Sequence, residues 1–156
     1  MMDMHKYFTV LIYVVCSACL SSNNAYAQSK TITPVVSLSQ DRTNSRPLYN
    51  QVIEGRVFIS ISTLATNIER VVFWLDDPQG VRKPLNIDRW PPFDFISRNH
   101  KSHNKKPTVF DTTKHSNGEH SILIKFVLVD GSNVKMLVPF TIFNKGNVPF
   151  SEQYRR

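Results

Sequence analysis

Beyond residue 30 the chain consists of short runs in which apolar residues recur at every second position. This period is the feature that most restricts its fold. In one run Val57, Ile59 and Ile61 alternate with Phe58 and Ser60, and the same spacing recurs at 70–75, 121–128 and 135–142. Successive side chains of a strand point to opposite faces, so each run predicts a strand with one buried row. No window in this part of the chain has a sustained helical period.

Turn signals separate these runs. Asp76-Asp77-Pro78-Gln79-Gly80 follows one run, Asn117-Gly118 precedes another, and Asp130-Gly131 lies between the last two. Asp-Gly between alternating runs is a strong hairpin signal. Shorter candidate strands lie at 35–39, 81–85, 93–96 and 108–111. The pattern therefore predicts an all-β sandwich of seven to eight antiparallel strands.

The first 27 residues have the pattern of a cleavable signal peptide. Lys6 precedes an apolar stretch at 7–20, and the segment ends on Ala25-Tyr26-Ala27. The stretch is shorter than the roughly 20 residues of a membrane-spanning helix. We therefore expect a signal peptide at 1–27, one sandwich domain at 28–144, a flexible C-terminal tail at 145–156 and no transmembrane segment in the mature chain.

Both cysteines, Cys16 and Cys19, lie inside the predicted signal peptide. A mature chain without them has neither a disulfide nor a thiolate site. We expect an exported protein, periplasmic or extracellular. Processing as a lipoprotein anchored through Cys19 is the alternative.

Several motifs in a fixed order resemble the bacterial immunoglobulin-like domains of exported proteins. The stretches that match are VIEGRV at 52–57, VVFWLD at 71–76, PFDF at 92–95, FDTT at 110–113, NGEH at 117–120 and FTIFN at 140–144. The resemblance extends over about residues 35–144. It implies an immunoglobulin-like sandwich with a spacer, adhesion or ligand-presenting role, and it implies no reaction.

The candidate ligand-binding residues are aromatic and basic. The chain has a net charge of +7, and the segment 97–106 contains four bases and no apolar residue. Exposed indoles stack on sugars and in protein interfaces, whereas cations attract anionic groups. The candidates are Trp74, Trp90, Arg82, Arg89, Lys105 and Lys106. Two simpler interpretations stay open, in which Trp74 covers the second sheet and the basic loop is only solvated.

A second set of residues suggests a structural role. His120 begins a strand two residues after Gly118, and its ring can bond the turn backbone and the Asp111-Thr112 segment. The four histidines outside the signal peptide, His100, His103, His115 and His120, offer a metal site only as a remote alternative. Without a nucleophile motif, we expect no enzyme activity, no catalytic residue, no metal site and no cofactor.

The partners that fit these features are an envelope or extracellular protein, or a carbohydrate. Nucleic acid is disfavoured because the basic loop lacks interleaved aromatic residues. The leading hypothesis is a non-catalytic binding module. The alternatives are a structural or assembly subunit of an envelope complex and, more remotely, a periplasmic metal-binding protein.

Overall fold

The alternating runs form strands in the computed structural model, which describes residues 32–97 and 106–147. The strands within these two ranges are β1 (Ile32–Ser37), β2 (Arg46–Pro47), β3 (Val52–Ile53), β4 (Arg56–Thr63), β5 (Ile68–Leu75), β6 (Asn86–Asp88), β7 (Phe93–Asp94), β8 (Phe110–Asp111), β9 (Gly118–Leu128) and β10 (Asn133–Ile142). Two short 3-10 helices, Thr112–Lys114 and Lys145–Asn147, complete the elements. The predicted signal peptide, most of the basic loop and residues 148–156 lie outside the described residues.

Two sheets make up the fold. The first, called the β4 sheet, has the order β2-β1-β4-β7, with β8 also pairing with β4. The second, called the β9 sheet, has the order β3-β10-β9-β5-β6. The chain is therefore all-β with two sheets, as the alternation predicted. One pairing differs from the expected antiparallel set, because β3 runs parallel to β10 through Val52 and Ile53.

The strand count also differs from the expected seven to eight. Four of the ten described strands contain only two residues. The candidate strand at 81–85 is absent because Asp77 holds this segment in a turn. Its carboxylate accepts hydrogen bonds from the backbone N–H groups of Gly80 at 3.1 Å and Arg82 at 2.8 Å. Pairing with β5 begins only at Leu85, which donates to the Phe73 carbonyl at 2.8 Å.

The inward rows of both sheets form one hydrophobic core. At its centre the Phe95 ring makes edge contacts with Phe73 and Phe110, at centroid distances of 5.8 and 5.3 Å. The row Val57, Ile59 and Ile61 that the alternation predicted is buried there, whereas Leu75, Leu128 and Met136 at the ends of the other rows are partly buried. Burial of these apolar side chains is the main favourable contribution to a sandwich of this size.

One buried ion pair joins the loop after β1 to β7. The Asp94 carboxylate is fully buried and accepts two hydrogen bonds from Nη2 of Arg42, at 2.8 and 2.9 Å. The carboxylate of Asp88, also buried, accepts the backbone N–H of Asp94 at 2.8 Å. Both carboxylates therefore organise the connections around β6 and β7.

Pro139 marks an edge of the β9 sheet. Thr141 N–H and Phe143 N–H donate away from β9, to the carbonyls of Gln51 and Ile53. Residues two apart in a strand direct their backbone groups to the same side. The nitrogen of Pro139 therefore faces away from β9, the position in which proline leaves the ladder intact. Among the described residues, no helix has the length and apolar character that crossing a membrane requires.

Candidate functional site

Within the described residues, His120 and Asp76 come closest to the arrangement of a catalytic site. We call the region around them the His120 corner. Asp76 follows β5 with a φ of 50°, in the left-handed region that Asp tolerates better than most residues. Its N–H donates to the Ser121 carbonyl at 2.8 Å, and its Oδ1 accepts the Ser121 N–H at 2.9 Å. The ring Nδ1 of His120 lies 2.7 Å from Asp76 Oδ2. A carboxylate, an imidazole and a serine thus meet at this corner.

Both ring nitrogens of His120 face acceptors. Nε2 lies 2.9 Å from the backbone carbonyl of Ser116, which has no proton to give, and Nδ1 faces the Asp76 carboxylate. The arrangement suits a doubly protonated ring, which donates from both nitrogens. Burial lowers the pKa of His120, but the bonds to Ser116 and Asp76 outweigh it and leave that pKa above its usual value of 6.5.

The neighbouring His115 behaves in the opposite way. Its ring contacts His120 edge-on at a centroid distance of 6.3 Å and packs on Phe110 at 4.8 Å. Burial, followed by repulsion from the charge of His120, lowers the pKa of His115. The pKa values of the two neighbouring imidazoles are therefore shifted in opposite directions.

The bonds at this corner restrict what it can do chemically. A general base or a metal ligand needs a free nitrogen lone pair. Each nitrogen of His120 is instead committed to a protein acceptor, and both oxygens of Asp76 are bonded as well. In this geometry His120 ties the turn before β9 to the end of β5.

An open depression lies against the same corner, with a volume of about 630 Å³. The side chains around it come from β9, β10 and the turn after β5, and they include Asp76, Pro78, Glu119, Ser121 and Thr141. Acidic and hydroxyl side chains line it together with proline side chains and backbone groups. Those acids and hydroxyls could contact a polar ligand, but they provide no activated nucleophile.

The expected structural residues lie together, with one difference in the contacts of His120. The ring bonds the turn through Ser116, but its second partner is Asp76 and not the Asp111-Thr112 segment. Asp111 instead caps the 3-10 helix, accepting from Thr113 N–H at 3.2 Å. Asp76 precedes His120 by 44 residues, so no local pattern in the sequence links the two.

Asn144 is a buried polar residue that forms a clamp with Thr112 and Gly55. Its Oδ1 accepts from Gly55 N–H at 3.1 Å and lies 2.8 Å from Thr112 Oγ1, while Nδ2 donates to the Thr112 carbonyl at 3.0 Å. The side chain of Asn117, just before Gly118, bonds the Asn144 backbone in both directions. These contacts hold the ends of β3, β8 and β10 together.

Trp74 is a packing residue and not an exposed binding residue. Its side chain packs with Val72 and Leu123 on the outer face of the β9 sheet, and only 9% of the residue is exposed. Its Nε1 donates to the Arg82 carbonyl at 2.9 Å. The turn at Gly80 lies directly over the indole, so the ligand-binding interpretation of Trp74 is corrected to the packing one.

The remaining candidates that the structure describes do not form one site. Arg82 bonds the carbonyls of Leu75 and Asp76 at the end of β5, whereas Arg89 pairs with Glu69 at its start, at 3.3 Å. An eight-residue strand separates these positions by roughly 20 Å. Trp90 is half-buried near Arg89, and its N–H donates to Asp88.

Of the basic residues in the loop at 97–106, the structure describes Lys106. Lys106 is exposed, and Pro107 beside it accepts a 3.5 Å bond from Gln40. Lys105, His100 and His103 lie outside the described residues, so their roles stay predictions. Within residues 32–97 and 106–147, no group of three or more His, Cys, Asp or Glu side chains is placed to hold a metal ion.

A second depression was missed by the sequence analysis. It lies between the edges of the two sheets, has a volume of about 390 Å³, and is floored by the buried Val36 and Val57. Leu38, Val52 and Phe143 line it with exposed fractions of 79, 57 and 44%. We call it the edge groove. Its residues come from four separate segments of the chain, which the sequence alone does not bring together. Phe143, an aromatic residue directly after a strand, was a local signal of such a site.

Comparisons with known proteins give only distant structural likeness. No protein-family model and no curated protein sequence matches the chain. Among solved structures, the endo-beta-1,4-mannanase from Thermotoga petrophila is 14% identical with a TM-score of 0.45, and the match covers 76% of this chain and 21% of that one.

Two further solved structures match over the same share of this chain, 76%. The fibronectin(III)-like modules of Clostridium thermocellum CbhA are 17% identical, with a TM-score of 0.38 and 51% of that chain covered. The extracellular domain of the one-component system BT4673 from B. thetaiotaomicron is 15% identical, with a TM-score of 0.40 and 16% covered. Likeness at this level gives no argument about function.

Proposed function

We propose that the chain is a non-catalytic, exported immunoglobulin-like module that binds a partner protein of the envelope or the extracellular space through the edge groove. The observation behind this proposal is the exposure of three apolar side chains around one depression, Leu38, Val52 and Phe143. Exposed apolar side chains grouped around a concavity are typical of interaction sites.

The charges at the groove suit a peptide segment. Arg46, Glu54 and Lys145 line it beside the apolar residues. Arg46 reaches across the opening to the Val52 carbonyl at 3.5 Å. A partner segment with an apolar anchor and flanking charges finds both kinds of contact here, with a hydrophobic centre and a polar rim.

The non-catalytic part of the proposal is supported by the His120 corner. Its imidazole and carboxylate are the groups closest to a catalytic arrangement, and both are committed to protein partners. Export is proposed from the sequence pattern of residues 1–27.

Site-specific photocrosslinking in the native envelope tests the groove. A photoreactive phenylalanine analogue at Val52 is expected to give one defined adduct, whereas the same analogue at Val129 gives none. Val129 is a matched control because it is 71% exposed and lies in the distant β9–β10 hairpin. Leu38→Asp should abolish the Val52 adduct. An adduct that persists in Leu38→Asp, or equal adducts at both positions, argues against the groove.

A second candidate, an assembly subunit, is favoured by the open edge of β10. Its backbone groups at Lys135 and Leu137 face the same side as those of Thr141, away from β9. Within the described ranges, residues 50–53 bond this edge at Pro139, Thr141 and Phe143, beyond Lys135 and Leu137. An uncovered edge can accept a strand from another subunit.

Proline substitution distinguishes this candidate. Leu137→Pro removes an N–H that faces the open edge, so the β9–β10 ladder keeps its bonds and strand addition is blocked. Met136→Pro removes an N–H that faces β9 and should destabilise the fold by about 1 kcal/mol or more, because a ladder hydrogen bond is lost. If a complex isolated from the envelope retains Leu137→Pro unchanged, assembly does not use this edge.

A further inference from the structure

The outer face of the β9 sheet presents one basic residue on each of three neighbouring strands and a fourth directly after the next strand. Lys135 of β10 lies directly opposite Lys125 of β9. Arg70 of β5 lies opposite Val127, one outward position along β9 from Lys125. Arg89 follows β6, next to Arg70. We call these four residues the basic row.

The strand pattern places the basic row on the outside. Ile124 and Phe126, which flank Lys125 in β9, are both buried in the core. Because alternate residues face opposite sides, Lys125 and Val127 point outward. The backbone N–H and C=O groups of odd-numbered β10 residues face away from β9. Lys125 and Lys135 therefore form a non-hydrogen-bonded pair. Side chains approach most closely in pairs of this kind.

The charge of the row is only partly neutralised. Glu69 pairs with both Arg70 and Arg89 through its Oε1. Neither Lys125 nor Lys135 has an ion-pair partner among residues 32–97 and 106–147. Four positive charges therefore face one negative charge. Like charges directly opposite one another in a sheet are destabilising, so the lysine pair lowers stability unless an anion lies between the two ammonium groups.

From this surface we infer that the basic row binds an extended acidic polysaccharide, with one uronate carboxylate for each strand. Directly opposite residues of neighbouring strands are about 4.8 Å apart and the diagonal step from Lys125 to Arg70 is about 8 Å, so the row extends over roughly 16 Å. A uronate chain carries one carboxylate per sugar ring, an interval comparable with the strand spacing. Ammonium and guanidinium groups form charge-assisted hydrogen bonds with carboxylates.

Two exposed apolar side chains flank the row and favour a sugar polymer. Ile87 of β6 is 41% exposed, and Leu137 of β10, two residues from Lys135, is 47% exposed. The apolar faces of sugar rings can pack on such side chains between the charged contacts. Nucleic acid usually adds exposed aromatic platforms, whereas the aromatic residue of this face, Trp74, is covered and bonded.

Polygalacturonate is the probe, and fully methyl-esterified polygalacturonate is the matched polymer without charge. The full-length mature chain should bind the acidic polymer and not the ester, as measured by calorimetry at low salt. Lys125→Gln combined with Lys135→Gln should weaken binding about tenfold or more. The slope of log affinity against log salt should fall by about two, one for each cation removed.

Lys106→Gln is the control, since it removes an equal exposed charge outside the row, and it should bind like the parent chain. The double variant should unfold at the same or a higher temperature, because it loses a like-charge pair, so a folding defect is excluded directly. Parent-like binding by the double variant overturns the inference. So does equal binding of the ester, or tighter binding of single-stranded DNA or anionic vesicles. The Val52 crosslink tests the edge groove, and none of these binding results depends on that groove.

Discussion

At the scale of single residues, Asp76 shows how a strained position can organise a corner. A left-handed backbone costs a non-glycine residue roughly 1 kcal/mol. In return the Asp76 N–H reaches the Ser121 carbonyl and its carboxylate reaches both Ser121 N–H and the His120 ring. Asp76 therefore ties the end of β5 to β9 through three hydrogen bonds.

The pH dependence of stability follows from the two imidazoles at this corner. Folding raises the pKa of His120 above 6.5. Its contribution to stability is fully present below 6.5 and is lost as the pH rises through the folded-state pKa. Folding lowers the pKa of His115, which therefore costs stability as the pH falls below 6.5 towards its folded-state pKa. The two effects oppose each other.

Asp76→Asn tests the contribution of His120, and it also removes a smaller favourable effect of the Asp76 charge on the His115 ring. Asn tolerates the same backbone conformation, but it removes the negative charge that helps to raise the pKa of His120. The loss of unfolding free energy should be about 1–2 kcal/mol near pH 5.5 and clearly smaller near pH 8.5, measured by urea denaturation. Asp130→Asn, in the β9–β10 hairpin, is the control. An equal loss at both pH values contradicts the assignment.

The Asn144 clamp makes a second prediction at this scale. Asn144→Ala removes the partner of Gly55 N–H and one of the two bonds to the Thr112 carbonyl, which keeps its bond from His115 N–H at 3.0 Å. A buried backbone group left without a partner costs about 1–3 kcal/mol, so we expect a loss of about that size in denaturant unfolding. Asn133→Ala, at an exposed strand position, should change stability by less than about 0.5 kcal/mol. Similar losses in the two variants would show that Asn144 is not a clamp.

At the scale of elements, the long strands could be predicted because a period of two encodes a buried row directly. The two-residue strands could not, since two residues have no period. β3, for example, exists because Gln51 and Ile53 accept hydrogen bonds from β10. The sequence also left the burial of Trp74 undecided. The indole is covered by the Gly80 turn and not by a neighbour along the strand.

Two glycine variants test how tightly this turn covers Trp74. Gly80 and Gly55 have similar φ values, +66° and +69°. An added Cβ at Gly80 would lie 2.9 Å from Leu123 Cδ2, whereas at Gly55 it meets nothing within 4 Å. Gly55→Ala should lose about 1 kcal/mol from backbone strain alone. Gly80→Ala should lose a further 1–3 kcal/mol from overpacking, measured in the same urea series. Equal losses would show that the turn is loosely packed.

At the scale of the whole molecule, the potential interaction sites are surfaces of a fold in which two sheets share one core. The edge groove lies between the two sheets, the basic row crosses the outer face of one of them, and the His120 corner closes one end. The sequence predicted the all-β fold with two sheets, because strand periods are local, and it named Arg89 as a candidate ligand-binding residue from its charge. It did not predict the edge groove or Lys125 and Lys135 as a pair, because strand pairing alone brings those residues together.

The measurement that tests this account most directly is the yield of the Val52 photocrosslink in the native envelope, compared between two variants. His120→Gln alters the His120 corner, and Leu38→Asp alters the edge groove. For folded protein, His120→Gln should keep the full yield and Leu38→Asp should lose it. Loss of the crosslink in folded His120→Gln, together with full yield in Leu38→Asp, would contradict the claim that the groove binds the partner.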